Sequence, residues 1–229
     1  YVGPLIFGTL LSSIIALIIA VPLSIGIALF ISHYAPRRLA AGLGYVVDLL
    51  AAVPSIIFGL WGFQIAQSAV PSFEFLHEHL GFIPLFGGES VTTTGRTMLM
   101  IGIVLAIMIL PIMTAVNREV FLQTPRLHEE ASLALGATRW EMIRQTVIPF
   151  GKSGVISGAM LGLGRALGET MAVTFVVGNA HRIGNSLMAP GTTISAAIAN
   201  EFNEADGMQL NALMALGCIL FLITFIVLI

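Results

Sequence analysis

Apolar residues run along this chain in five long blocks, residues 5 to 33, 41 to 69, 97 to 116, 153 to 178 and 210 to 229, with polar stretches between them. Each block is about twenty residues or longer, enough for a helix to cross a hydrocarbon core of about 30 Å. The blocks predict membrane-spanning α-helices, and the segments between them predict loops or short interfacial helices. Pro22, Pro54 and Pro111 fall inside the blocks. Proline breaks a soluble helix, but neighbouring helices and side-chain donors repair a membrane helix, so kinks rather than boundaries are expected at all three.

Composition agrees with the pattern. Of 229 residues, 57% are hydrophobic and 10% are charged, against roughly 25% charged residues in a soluble domain. So little charge cannot cover a water-exposed surface. The net charge is -2, and the ten Lys and Arg residues are spread through loops rather than gathered in a patch, which argues against a nucleic-acid partner. The single cysteine, Cys218, rules out an intrachain disulfide and a Cys-rich metal site. His77, Glu78 and His79 are adjacent, a spacing that does not put ligands on one helix face, and no metal site is expected.

Loop charge fixes the orientation, because short cytoplasmic loops carry the excess of Lys and Arg. Segment 34 to 40 holds Arg37 and Arg38, and segment 117 to 152 holds Arg118, Arg126, Arg139, Arg144 and Lys152. Both should be cytoplasmic. Segments 70 to 96 and 179 to 209 hold only Arg96 and Arg182 beside Glu74, Glu78, Glu89, Glu201, Glu204 and Asp206, and should be external. The first block then starts outside. Both ends of the chain, Tyr1 and Ile229, read as cuts in a longer protein, with one further helix expected upstream. Trp61 and Trp140 read as interface anchors, and Asp48, near the inner end of the second block, as a solvated or capping carboxylate rather than a member of an ion path.

The segment 117 to 152 carries more organisation than a connector needs. Thr124-Pro125 predicts an N-cap followed by proline in the first turn, and Leu127, Ala131, Ala134 and Leu135 make one apolar face at helical spacing. Gly136 is placed to end that helix in a left-handed conformation. Thr138, with Glu141 three residues later, forms a capping box for a second helix that should end before Pro149. Glu130-Ala131-Ser132, Gly136 and Ile148-Pro149 resemble the EAA motif of ABC importer permeases, E-A-A, three residues, G, nine residues, I-x-L-P. The spacing matches in full; Ser132, Thr146 and Ile148 depart from the pattern by small or size-conserving changes. The resemblance implies a type I ABC importer permease, an all-α MetI-like helix bundle whose coupling helix at Glu130, Ala131, Ser132, Gly136, Ile148 and Pro149 docks on a cytoplasmic ATPase.

The fourth block contains Arg165 and Glu169. A central arginine costs about 2.5 to 3.5 kcal/mol even on a lenient insertion scale, so an intramembrane ion marks a functional candidate. The bland reading is that the two charges, four apart, neutralise each other on one helix face, although basic-before-acidic is the weaker order. The functional reading has Arg165 meet a tetrahedral oxyanion, whose paired oxygens match a guanidinium fork. Glu169 would position the arginine or accept a hydrogen bond from a protonated oxygen. Thr170, and Ser55 beside the second-block proline, offer hydroxyls. Gly154, Gly158 and Gly162 have the spacing for close helix approach, expected against a second permease subunit.

The stretch Arg165-Ala166-Leu167-Gly168-Glu169-Thr170-Met171-Ala172 resembles the R-A-L-G-E-T-M-A of phosphate permeases, whereas sulfate and molybdate permeases usually continue with F-G after a similar R-A-x-G-E. Residues 51 to 62, Ala-Ala-Val-Pro-Ser-Ile-Ile-Phe-Gly-Leu-Trp-Gly, and Ile198-Ala199-Asn200-Glu201-Phe202 are similar to the PstC type of subunit more than to its PstA-type partner. The resemblance implies phosphate as cargo, with sulfate or molybdate as the alternative. It also implies a PstA-like second permease subunit, a PstB-like ATPase dimer carrying ATP and Mg, and a PstS-like extracytoplasmic phosphate-binding protein, for which 190 to 206 is a candidate docking surface. No G-x-x-x-x-G-K-[ST] occurs, so the chain itself should need no cofactor and hydrolyse nothing. A hydrolase built on Glu169 and His181 lacks a nucleophile and base within reach, and a passive channel would have no use for the capped cytoplasmic turn.

Overall fold

A computed structural model of the chain describes residues 2–80, apart from the side chains of Leu76 and Leu80, together with 94–184 and 186–229. Residues 81–93, with Glu89 of the expected outer loop, lie outside the described residues. The described residues form helices and no strand. Helix α1 runs Val2–Leu29 and continues through a π turn at Phe30–Tyr34; α2 is Arg37–Ala51, α3 Ser55–Leu80 and α4 Met98–Leu122. Then come α5 Arg126–Ala134, α6 Arg139–Met142, a π turn at Ile143–Val147 and α7 Ile148–Leu167. Short α8, Met171–Val176, precedes α9, Ile194–Glu201, and α10, Met208–Leu228.

Among the described residues five helices are long and apolar enough to cross a membrane: Val2–Tyr34, Ser55–His79, Met98–Leu122, Arg139–Leu167 and Met208–Leu228. Two blocks read as continuous are interrupted. Residues 52–54 separate α2 from α3, because Pro54 has no N–H to donate and turns Val53 away from helical geometry. Pro22 and Pro111, in contrast, stay inside α1 and α4. In the fourth block the helix stops at Leu167 and resumes at Met171. Pro149 does not end a helix, since Arg139–Leu167 is continuous. The wider π turn at Ile143–Val147, immediately before Ile148 and Pro149, makes room for the proline ring and its missing donor. Thr124 is not the cap of α5: its N–H bonds the Phe121 carbonyl at 3.3 Å, so it belongs to the turn leaving α4, and Pro125 takes the cap position.

The contacts divide into two units, with α1, α4 and α7 contributing residues to both. The first comprises Tyr1–Ile18, Pro54–Met108 and Leu163–Ile229. Its core joins Leu5 of α1, Ile194 and Ala197 of α9, and Leu213 and Leu216 of α10. The Thr9 hydroxyl accepts a hydrogen bond from the Ile194 N–H at 3.0 Å, tying the start of α9 to α1. Helix α3 packs on α8, and glycine lets it approach: a Cβ at Gly59 would stand 2.7 Å from Ala172 Cα.

The second unit comprises Ile19–Val53 and Ile109–Gly162. Its core gathers Ala28 and Leu29 of α1, Phe121 of α4, Met142 of α6, and Ile143 and Val147 of the π turn. The second cytoplasmic helix is thereby seated against the ends of two long helices. The small-residue stripe of α7 meets α4 of the same chain rather than a second subunit: a Cβ at Gly154 would press on Val120, one at Gly158 on Asn117 and one at Gly162 on Met113. Without an aqueous driving force between membrane helices, such close backbone packing is a main source of their association.

Candidate functional site

Arg165 stands in the last turn of α7 and is half-buried. Two residues later the helix breaks, and side chains take up three of the freed backbone groups. Ser195 Oγ donates to the Leu167 carbonyl at 3.3 Å, Thr170 Oγ1 donates to the Gly168 carbonyl at 3.2 Å, and the Ala172 N–H donates to Glu169 Oε1 at 3.0 Å. A broken helix is tolerated at membrane depth where its freed groups are satisfied in this way. Glu169 is 9% exposed, and its carboxylate caps the first turn of α8.

Among the described residues no ion pair joins Arg165 to Glu169. The four-residue spacing implies a shared face only while the helix continues, and Glu169 has already left it, its N–H turning toward the Ala166 carbonyl at 3.5 Å. Neutralisation of the arginine by its helical neighbour is therefore not what the structure contains.

Ser55 is the first residue of α3. A Cβ at Gly59 would meet Ala172, and one at Gly62 would meet Val176 at 3.2 Å. Helices α3 and α8 thus run in the same direction, and Ser55, one turn before Gly59, sits at the same end of this pair as Glu169 and Thr170. The first N–H groups of the 26-residue α3 have no partner within the helix. The half-buried Arg165 guanidinium and the positive end of α3, with Ser55 in its first turn, are each of a kind suited to an anion.

The cytoplasmic turn is built from local rules. Glu130, Ala131 and Ser132 lie on α5, which ends in a Schellman arrangement: the Gly136 N–H bonds the Leu133 carbonyl at 3.0 Å and the Ala137 N–H bonds the Ser132 carbonyl at 3.2 Å. Gly136 has φ +90°, on the left-handed side where a Cβ is disfavoured. The capping box forms, with the Thr138 N–H donating to Glu141 Oε2 at 2.8 Å and the Glu141 N–H donating back to Thr138 Oγ1 at 3.4 Å. Ile148 and Pro149 open α7 directly behind the π turn.

The apolar face expected on α5 points outward. Leu127 is 75% exposed and Leu135 90% exposed, and Ala131, Ala134 and Trp140 are exposed with them. His33 Nε2 lies 3.5 Å from Glu129 Oε1, holding the base of α5 to the end of α1. Sequence reasoning missed this anchor and also the Asn117 to Ser24 hydrogen bond of 3.2 Å between α4 and α1. Neither has a local signature, because each joins positions about ninety residues apart.

Comparison with known proteins points the same way. The family model for the binding-protein-dependent transport system inner membrane component matches residues 20–229. The phosphate transport system permease protein PstC 2 of Mycobacterium tuberculosis is 52% identical over 223 residues, covering 96% of this chain and 69% of that protein. The phosphate transport system permease protein PstC of Pasteurella multocida is 51% identical over 229 residues, covering 97% and 71%, and that of Mesorhizobium japonicum is 50% identical over 230 residues, covering 97% and 69%. A solved structure of the MetNI methionine ABC transporter in inward-facing conformations shares the fold, with a TM-score of 0.56, 17% identity, and coverage of 95% of this chain and 87% of that one. With five candidate spans, a capped cytoplasmic turn and a family match over nearly its whole length, this chain belongs to the inner membrane components of binding-protein-dependent ABC transport systems.

Proposed function

We propose that this chain is the phosphate-conducting permease subunit of an ATP-driven importer. The observation that carries the reading is the cytoplasmic turn at 126–142, stiffened by a Schellman glycine and a capping box and presenting exposed Leu127 and Leu135. A rigid apolar knob on a membrane protein is suited to dock a partner and transmit its motion. The relatives at about half identity are named for phosphate transport, and the Thr170-Met171-Ala172 continuation favours phosphate over sulfate or molybdate.

In this mechanism the chain works as one member of a complex. A second permease subunit, PstA-like, completes the passage; a PstB-like ATPase dimer, which carries ATP and Mg, grips the coupling residues Glu130, Ala131, Ser132 and Gly136; and a PstS-like binding protein delivers phosphate from outside. Closure of the ATPase moves the knob and α7 behind it, and access to Arg165 alternates between the two sides. Arg165 offers its fork to two phosphate oxygens, Ser55 adds a hydroxyl donor, Thr170, whose hydroxyl hydrogen goes to the Gly168 carbonyl, shapes the break beside it, and Glu169 caps α8. The whole chain is read as one permease domain, conducting and not hydrolysing.

The test is uptake of labelled phosphate into proteoliposomes holding the complete complex. Uptake should require ATP and the binding protein, resist excess sulfate, and fall by about tenfold or more in Arg165→Ala, the scale of a lost charged hydrogen bond. Undiminished uptake by an intact Arg165→Ala complex removes Arg165 from the passage, and full competition by sulfate reassigns the cargo.

A further inference from the structure

Arg118 is a second membrane-edge cation that the mechanism above leaves without a role. It lies in the last two turns of α4, in the segment that loop charge assigns to the cytoplasmic side. Its side chain is only 22% exposed, and it lies against α2 at Gly44, which is buried. Any Cβ at Gly44 would collide with Arg118 Nη1 and come 3.0 Å from Cζ. Glycine at that position is what lets the guanidinium rest on the helix backbone.

The guanidinium is poorly used. Nε is buried with no hydrogen-bond partner among the described residues. Nη2 stands 3.9 Å from Asp48 Oδ2, beyond hydrogen-bond distance, and the Asp48 side chain is 55% exposed. An ion pair that long and that wet is worth little as a clasp between α2 and α4. A structural clasp would be short and would spend the donors; here Nε has no partner among the described residues and Nη2 stands beyond hydrogen-bond distance of Asp48. A weak counter-ion beside a largely buried guanidinium is what a transient anion station needs, because a carrier must release what it binds.

Resting on the phosphate reading, we propose that Arg118 is a cytoplasmic-side oxyanion station: it receives the phosphate dianion or monoanion on its way out, and Asp48 is the counter-ion the phosphate displaces and that in turn drives it off. The carboxylate and the phosphate compete for the same guanidinium edge, so charge on Asp48 shortens the stay of the ion. No bond is made or broken.

The experiment uses the complete complex in proteoliposomes loaded with graded internal inorganic phosphate, with uptake of labelled phosphate as the readout. Internal phosphate occupies the station and slows import. In Arg118→Gln, and more mildly in Arg118→Lys, which keeps the charge but not the fork, the internal phosphate needed for half-inhibition should rise by about tenfold or more. In Asp48→Asn it should fall, because the competitor is gone. A clasp would make the Arg118→Gln and Asp48→Asn variants behave alike, since each breaks the same pair. Shifts in opposite directions support the station; shifts in the same direction, or none in either variant, overturn it. Should the wild-type complex carry sulfate instead, the phosphate reading fails on that result, and the same opposite-sign comparison with internal sulfate decides the station.

Discussion

Glu169 is where a single side chain decides between two roles. As a charge it would serve the arginine four residues earlier; as a cap it serves the Ala172 N–H. The two roles separate by substitution, because glutamine keeps the accepting oxygen and loses the charge. Glu169→Gln should assemble and import phosphate near the wild-type rate, whereas Glu169→Ala leaves a buried donor unpaired, at a cost of about 1 to 3 kcal/mol. That loss is read as a lower thermal midpoint of the purified complex together with reduced uptake. Equal loss in both variants would make the charge, and not the cap, the contribution of Glu169. At this scale the sequence exposes Arg165 and Glu169 as charges in an apolar run, but not what each touches. The Arg118 to Asp48 approach and the Ser195 bond to Leu167 join positions far apart in the chain, and no spacing rule reaches them.

Elements governed by neighbouring residues were the most legible. The turn at 134–141 follows from Gly136, Thr138 and Glu141 alone, and its Schellman and capping-box bonds are those the letters predict. Nothing lies within 4 Å of a Cβ built at Gly136, so a side chain there meets no steric obstacle and its cost is conformational, about 1 to 2 kcal/mol. Gly136→Val should therefore leave the complex assembled but loosen the turn. The measurable result is more ATP hydrolysed per phosphate imported, and an unchanged ratio would show that the turn's rigidity is unimportant. The interruptions at 52–54 and 168–170 were less legible. An apolar run looks the same whether a helix is continuous or is broken and repaired, and the repair at Leu167 comes from Ser195 on α9, beyond any local window.

For the molecule as a whole, membrane residence and the sidedness of the loops came from composition and from loop charge. Sidedness is open to a direct check. A cysteine placed at Leu135, 90% exposed on the knob, in a Cys218→Ser background, should react with a membrane-impermeant thiol reagent in inside-out vesicles and stay unlabelled in intact cells. Labelling from outside would reverse the topology and end the coupling scheme. What the linear pattern did not convey is how the coupling segment joins the spans, because a proline that ought to stop a helix sits behind a π turn that accepts it.

That acceptance has a mechanical meaning. Arg139–Leu167 runs as one helical span, but it opens into the π turn at Ile143–Val147, whose Ile143 and Val147 are buried with Leu29 of α1 and Phe121 of α4. A π turn is a place where a helix can bend. A push delivered at exposed Leu127 and Leu135 would meet this clamped joint first, so the ends of α1 and α4 would share the load with the proline behind it.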